Sequence, residues 1–202
     1  MSDKYYVEDN KNKSRLSRAF FLTDGLTLAK ELLGKIMVHE TADGPIRAVI
    51  TETEAYMGAM DKGSHAYGNR RTDRTETMFH LGGTSYVYLI YGMYYCMNVV
   101  ANEVDIPEAV LIRKVEPADE ESRQRMLARR KVKNEKNLSD GPGKLCIAMD
   151  ITKVQNDVDM ATSGEFYLTE GIEVNSEEIK CGKRINIDYA EEAADFLWRF
   201  YL

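Results

Sequence analysis

A tyrosine-rich hairpin is the feature that most constrains the fold of this chain. Residues of high β-propensity predict strands from Tyr86 to Ile90 and from Tyr94 to Val100, and Tyr91-Gly92 predicts the turn between them. A further strand is predicted from Val110 to Val115. Because a tight turn joins antiparallel neighbours, the sequence predicts a sheet that is mostly antiparallel.

The remaining segments predict helices around this sheet. Residues 36–38 and 48–56 predict two more strands, and helices are predicted after residue 24, over 119–135 and from 139 to 149. No repeat, low-complexity tract or linker divides the chain. We therefore predict an α+β fold, a single domain over residues 16–202 in which helices surround a curved, mostly antiparallel β-sheet. Residues 1–15 are polar and are predicted to be disordered.

Composition argues against several classes of protein. The 202 residues are 44% hydrophobic and 30% charged, which is typical of a globular domain. No apolar run approaches the ~18 residues of a membrane helix, and the polar start lacks a secretory signal. Three cysteines and three histidines, without pairs at ligand spacing, argue against a disulfide framework and a metal site. We expect a cytoplasmic monomer without a metal, a cofactor or a membrane partner.

The net charge of −6 argues at first sight against a polyanionic partner. The negative charge is concentrated in residues 155–202, which contain 11 acidic and 4 basic side chains. The net charge of the rest of the chain is therefore about +1. Basic residues cluster within residues 70–74 and 123–133. The charge distribution is therefore compatible with a basic face, although composition alone does not indicate DNA.

Two glutamates on one predicted strand form the first candidate site. With the period of two of a β-strand, Ile50, Glu52, Glu54 and Tyr56 share one face. This pattern is typical of a strand whose polar face contacts solvent. The alternative is that one carboxylate is a general base at the mouth of a pocket, with Tyr56 beside it as a stacking surface.

Five tyrosines within residues 86–95 form the second candidate site. Taken alone, such a run is typical of a hairpin whose aromatic residues fill a core. The alternative is a stacking platform, since aromatic faces bind unstacked bases at ~1–3 kcal/mol each and a tyrosine at a turn can insert into a duplex.

Basic side chains near these segments are candidate phosphate ligands. Arg70, Arg71 and Arg74 lie in a long predicted loop over residues 58–84, where they either bind phosphates or keep the loop soluble. Lys144 follows Gly141-Pro142-Gly143 at a predicted helix start, which suits either a phosphate oxygen or a plain capped turn.

Taken together and in unbroken order, these segments resemble the 3-methyladenine (alkyladenine) DNA glycosylase family. The resemblance rests on the runs TETEAY (51–56), HAYGNRRT (65–72), YVYLIYGMY (86–94), LIR (111–113) with EP (116–117), and GPGKL (141–145). The runs DYA (188–190) and WRFY (198–201) are similar to the bacterial branch. The resemblance spans roughly residues 16–202. It implies a fold similar to the C-terminal domain of formyltransferases, and monofunctional hydrolysis by water without a metal or organic cofactor.

The resemblance also implies which residues carry the chemistry. Glu54 matches the family's general base, and Arg113 matches the arginine that helps to hold the attacking water. Cleavage of a glycosidic bond passes through an oxocarbenium-like transition state, so a carboxylate can both stabilise charge on the sugar and deprotonate water.

Five other residues match positions that contact DNA in the family. Tyr56, His65 and Tyr88 match side chains that sandwich a flipped base, and Asn98 matches one that disfavours the exocyclic amine of normal guanine. Tyr91 matches the side chain that fills the gap left in the duplex. The implied partner is double-stranded DNA that contains damaged purines.

The implied lesions fall into two chemical groups. Cationic 3-methyladenine and 7-methylguanine gain cation–π attraction between tyrosines, are good leaving groups and pair weakly, so that flipping them costs less. Neutral hypoxanthine and ethenoadenine need protonation, or a hydrogen bond near N7, to leave. The resemblance thus predicts a repair glycosylase that flips such bases and initiates base excision repair.

Two other functions are compatible with parts of the pattern. A catalytically weak lesion-binding or nucleic-acid-binding module of the same fold would keep the tyrosines, but it has no need of Glu54 and Arg113 together. A carbohydrate glycosidase would use Glu52 and Glu54 as paired carboxylates, but two side chains of one strand cannot readily flank a sugar. The sequence therefore favours the DNA glycosylase.

Overall fold

An antiparallel sheet of eight strands organises residues 3–202, the part of the chain that the computed structural model describes. The strands are β1 (Ile36–Thr41), β2 (Gly44–Tyr56), β3 (Ser85–Ile90), β4 (Tyr94–Ala101), β5 (Glu108–Pro117), β6 (Phe166–Thr169), β7 (Lys180–Gly182) and β8 (Arg199–Tyr201). Their order is β3-β4-β5-β2-β1-β6, and β8 pairs with both β2 and β7. The predicted hairpin is formed by β3 and β4, and the α+β class with an antiparallel sheet is confirmed.

The α-helices in the described residues are α1 (Arg18–Phe21), α2 (Gly25–Glu31), α3 (Glu120–Arg130) and α4 (Pro142–Ala148). α2 begins as predicted, because the Asp24 carboxylate accepts hydrogen bonds from the backbone of Leu26 and Thr27. α3 ends before the predicted residue 135, since Lys131 adopts a left-handed conformation with φ 49°. Over the described residues, no helix has the length and apolar character needed to cross a bilayer.

Neighbouring side chains of the central strand β5 pack into different apolar clusters. The main core joins Val110 and Ile112 of β5 to Leu28 of α2 and Met126 of α3, all fully buried. Their sequence neighbour Ala109 packs instead into a second cluster with residues 66, 78 and 79 of the long loop. Since neighbouring residues of a strand point to opposite faces, the helices cover one face of the sheet and the loop covers part of the other.

The long predicted loop over residues 58–84 contains short 3₁₀ helices, at Gly58–Met60, Tyr67–Asn69 and Glu76–Phe79. Phe79 is buried in the second cluster, and the backbone N–H of Gly82 donates a hydrogen bond to the carbonyl of Asn102, just after β4. The loop is therefore held against the sheet at the open end of the β3–β4 hairpin, opposite its turn.

The alternation of β2 differs from the predicted period of two. Ile50 packs in the same core cluster as Ala55, so it does not share a face with Glu52, Glu54 and Tyr56. The pairing of β2 with β5 is irregular between Ile50 and Thr53. In a regular strand, side chains on one face are an even number of positions apart, but the two core residues Ile50 and Ala55 are separated by an odd number. The prediction for Ile50 was therefore wrong, because a register irregularity changes the phase of the strand.

The segment before α1 contacts the rest of the structure where it is described. Val7 donates a backbone hydrogen bond to Ala118, and the Asn10 amide donates to the same carbonyl and to Asp119. The disorder predicted for residues 1–15 stays a prediction for the chain in solution, and residues 1–2 lie outside the described part. Val7 and Asn10 therefore lie against Ala118 and Asp119, immediately before α3.

Candidate active site

A cavity of about 280 Å³ opens between the β3–β4 hairpin, the long loop and residues 185–189. Its size is just below the ~300–1,000 Å³ of typical small-molecule sites. Most of its described wall is aromatic or apolar, with a few polar groups. The predicted residues that line it are Tyr56, His65, Tyr88, Tyr91, Asn98 and Arg113. Side chains from four strands, a loop and a turn are thus brought to one site.

Glu54 lies directly behind this wall, with a side chain that is 0% exposed. The Tyr56 hydroxyl donates a 2.9 Å hydrogen bond to Oε2, and the Ile185 backbone N–H donates one of 2.8 Å to Oε1. Nη1 of Arg113 lies 3.4 Å from the same Oε1. Burial raises the pKa of Glu54 above its ordinary value, and Arg113 opposes that shift. The carboxylate is therefore a stronger base than one in water, and it is held by three partners.

Glu52 is a second carboxylate beside Glu54, and the sequence predicted it as a solvent-facing or glycosidase carboxylate. Its side chain is only 17% exposed, and its Oε1 accepts hydrogen bonds from Arg113 Nε at 3.0 Å and Arg199 Nη1 at 3.1 Å. Arg113 thus bridges the two carboxylates. Because Arg199 lies on β8, a strand far away in sequence, no local pattern could reveal this link.

His65 and Tyr88 form an aromatic corner of the cavity, with ring centroids 4.7 Å apart in an edge-to-face arrangement. A 3.0 Å hydrogen bond joins His65 Nδ1 to the Tyr86 hydroxyl. Burial lowers the pKa of His65 to about 4, and the nearby cations Arg74 and Arg70 add to the shift. The imidazole is therefore neutral at pH 7.

Asn98 lies on β4 opposite Tyr86, and its side chain is nearly fully buried. Its amide nitrogen donates a 3.0 Å hydrogen bond to the Tyr86 carbonyl. This bond fixes the orientation of the amide at the cavity wall, so that the side chain presents one defined set of polar atoms to a ligand.

Tyr91 lies at the tip of the β3–β4 hairpin, where its side chain is 74% exposed. Its φ is +52° and that of Gly92 is +66°, so the turn places two successive residues in the left-handed region. The adjacent Met93 is also exposed. The tip is thus a projecting apolar surface and not part of the core.

The predicted phosphate ligands do not share one environment. Arg70 and Arg74 line a groove that meets the cavity at His65 and Tyr189. No described carboxylate lies within ion-pair distance of either guanidinium, and that of Arg74 lies 5.2 Å from the centre of the Tyr88 ring.

Arg71 and Lys144 are instead bound to acidic side chains. Arg71 makes ion pairs of 2.6 Å with both Glu76 and Asp105, and Lys144 makes one of 2.9 Å with Asp140. Phosphate binding by these two side chains would have to displace their partners. Arg70 and Arg74 are therefore the better placed candidates.

Residues 185–189 form a part of the site that was not predicted from the sequence. Ile185, Asn186, Ile187 and Tyr189 line the cavity, and Ile185 binds Glu54 through its backbone N–H. A backbone donor carries no residue-type signal, which is why composition and spacing could not identify it.

The described residues offer no group of three or more His, Cys, Asp or Glu side chains that could hold a metal ion. Cys96 and Cys146 are buried and Cys181 is exposed, and all three thiols are free. The expectation that the activity needs no metal or cofactor stays a prediction.

Comparisons with known proteins identify the family of this chain. The model of the family described as Methylpurine-DNA glycosylase (MPG) matches residues 19–202. A protein of Clostridium acetobutylicum is 50% identical over 194 residues, which cover 93% of this chain and 94% of the relative. One of Clostridium perfringens is 48% identical over 195 residues (93% and 95%), and one of Clostridioides difficile is 47% identical over 204 residues (93% and 100%). Each of the three carries the provisional name 3-methyladenine DNA glycosylase. The chain therefore belongs to the methylpurine-DNA glycosylase family.

Proposed function

We propose that this protein flips alkylated or deaminated purines out of double-stranded DNA and hydrolyses their N-glycosidic bond, which initiates base excision repair. The substrates are 3-methyladenine, 7-methylguanine, hypoxanthine and ethenoadenine. The observation that carries the proposal is the Glu54–Arg113 contact of 3.4 Å at the wall of an aromatic cavity, since a mere binding site has no use for a buried base.

The reaction follows from the groups around Glu54. A water molecule loses a proton to the carboxylate as its oxygen bonds to C1′ of the sugar, and the electrons of the C1′–N9 bond leave with the purine. The raised pKa of Glu54 makes it a better proton acceptor, and its charge stabilises the oxocarbenium-like sugar. Arg113, held by both carboxylates, would orient the water.

The aromatic wall supports the choice of substrate. A flipped purine can stack on Tyr56 and Tyr88, whose π faces attract a cationic base. The neutral state of His65 avoids repulsion of such a cation. Tyr91, exposed at the hairpin tip, would fill the gap in the duplex.

The burial of Glu54 sets one condition on this mechanism. Its two oxygens are occupied by Tyr56, Ile185 and Arg113, and Glu54 itself has no exposed area. A water can be activated only within hydrogen-bond distance of the carboxylate, so a group that covers Glu54 must shift when DNA binds. The lack of exposed area at Glu54 is also what a second candidate function requires, a lesion-binding module with little catalytic activity in which water does not reach the carboxylate.

The protein would act as a monomer in the cytoplasm. One chain supplies each of the cavity residues named above, and its three free thiols fit a reducing compartment.

The proposal is tested by single-turnover base release from methylated duplex DNA and from a duplex with one hypoxanthine. Wild type should release both bases, and Glu54→Gln should bind the same duplexes but lose most of the release, since the amide keeps the shape without the charge. A Glu54→Gln rate within about threefold of wild type, roughly 0.7 kcal/mol of barrier, would contradict the assignment of the base. Tight binding of lesion DNA by wild type without any release would favour the binding module.

A further inference from the structure

A buried ion pair lies behind the cavity and joins the long loop to the segment before β8. The side chains of Asp61 and Arg184 are both 0% exposed, and Arg184 Nη2 donates a 2.7 Å hydrogen bond to Asp61 Oδ1. Nη1 and Nη2 also donate to the carbonyls of Ala55 and Ala193, at 3.0 and 3.1 Å. One guanidinium thus connects the end of β2, the loop and the C-terminal segment.

Asp61, the loop residue of this pair, is also held by backbone hydrogen bonds. The Asp61 carboxylate accepts hydrogen bonds from the backbone N–H groups of Met57 at 3.0 Å and Gly63 at 2.9 Å, in addition to those from the guanidinium. Gly63 and its neighbour His65 belong to the cavity wall. The position of this wall therefore depends on the carboxylate.

The guanidinium of Arg184 is also held between two aromatic rings. Its central carbon lies 4.8 Å from the centre of the Tyr56 ring and 4.9 Å from that of Trp198. Its Nε is buried without a hydrogen-bond partner. Contact with two π faces explains how this cation tolerates burial with one donor unpaired.

Two of the three partners of Glu54 are in direct contact with this arrangement. Tyr56, whose hydroxyl donates to Glu54, stacks on Arg184, and Ile185, whose N–H donates to Glu54, is the next residue after Arg184 in the chain. A shift of the guanidinium would therefore move both a stacking surface of the cavity and a donor to the carboxylate.

We propose that Arg184, paired with Asp61, is a positioning residue that sets the Tyr56 ring and the Ile185 amide against Glu54. The inference rests on the proposed function, since it assigns a role in the reaction of Glu54. Arg184 does not line the cavity among the described residues, so it acts through these neighbours and not by touching the DNA base.

Stability alone does not account well for such a pair. Burial removes both charges from water, and apolar replacements of similar volume are often as stable as a buried ion pair. A planar guanidinium, however, can bind a carboxylate, two carbonyls and two rings at once in a fixed geometry, which an apolar or lysine side chain cannot do.

The chain offers a matched control, because a second ion pair joins the same two segments at the surface. Lys62, next to Asp61, binds Glu191 and Glu192 with Nζ–O distances of 2.5 and 2.9 Å, and its pKa is raised by these carboxylates. Lys62→Met cuts this surface connection and leaves the buried one intact. Comparison of the two variants therefore distinguishes an effect of holding the two segments together from an effect of positioning the groups around Glu54.

The test compares wild type, Arg184→Lys and Lys62→Met in three measurements. These are affinity for a duplex with a tetrahydrofuran abasic analogue, single-turnover release of hypoxanthine, and emission of Trp198, which is the only tryptophan of the chain. Arg184→Lys should lower release at least about tenfold while affinity changes less than about threefold, and it should shift the Trp198 emission. Lys62→Met should leave release and emission as in wild type.

Folded Arg184→Lys protein with release within about threefold of wild type would overturn the inference, as would an equal loss in Lys62→Met. Should Arg184→Lys fail to fold, Trp198→Leu takes its place, because it removes one of the two rings and keeps the ion pair. That variant should lose release with little loss of affinity, and wild-type release by it would equally overturn the inference. Absence of release by wild type would contradict the proposed function instead, and the Trp198 emission would still report on the guanidinium contact.

Discussion

Arg113 donates a 3.0 Å hydrogen bond from Nε to Glu52, a carboxylate that lies on the same strand as the proposed base. We predict that Glu52→Gln lowers base release about 10- to 100-fold, since a charge-assisted hydrogen bond contributes about 1.5–3 kcal/mol. Single-turnover kinetics would show the loss. Glu116→Gln is the matched control, because Glu116 is a partly buried acid of β5 that pairs with Lys114. Equal rates of base release for both variants would contradict a role of Glu52 in the reaction.

We predict that His65 makes the protein less stable in mild acid. Its pKa of about 4 lies below the ~6.5 of an unfolded chain, so the unfolded state binds the proton more readily. Its contribution to the free energy of unfolding is fully present above pH 6.5 and is lost as the pH falls towards 4. Denaturant titrations between pH 7 and pH 4 should show a smaller slope for His65→Gln than for wild type. A slope for His65→Gln equal to that of wild type would contradict the prediction.

We predict that Arg70 and Arg71 differ in their contribution to DNA binding. Arg70 has no described acidic partner and should bind a phosphate, so Arg70→Ala should lower the log–log slope of affinity against salt by ~1. Arg71 is bound to Glu76 and Asp105, and Arg71→Ala should leave the slope nearly unchanged. Measurements of DNA affinity from low to moderate salt would test this difference. A larger change of the slope in Arg71→Ala than in Arg70→Ala would contradict the prediction.

We predict that Tyr91 contributes to base flipping and not to stability. Because the side chain is exposed, Tyr91→Ala should cost under about 1 kcal/mol of unfolding free energy, against ~3–5 kcal/mol for a core aromatic residue. Tyr91→Gly should be at least as stable as Tyr91→Ala, since glycine adopts a positive φ without strain. In both variants, 2-aminopurine placed beside the lesion should report less flipping. A large drop in melting temperature with intact flipping would show that the turn residue is structural.

The sequence predicted most of the sheet because its signals are local. The hairpin follows from Tyr-rich and Val-rich runs around Tyr91-Gly92, and the start of α2 follows from Asp24. The phase change after Ile50 was missed, since it depends on how β2 pairs with β5. The site residues of the strands were found through the family resemblance. The contacts made by Arg184 and Arg199 were missed, because they join positions more than a hundred residues apart.

The irregular pairing of β2 and β5 limits how the two strands can change in length. Glu54 lies opposite Leu111, which lines the cavity, whereas the next residue, Ile112, belongs to the core. Loss of one residue from β2 alone, near Thr51, would set Glu54 opposite Ile112 and force one of them to the wrong face. A matching loss in β5 would restore the pairing. We therefore expect a deletion in one of the two strands to be tolerated only together with a matching deletion in the other.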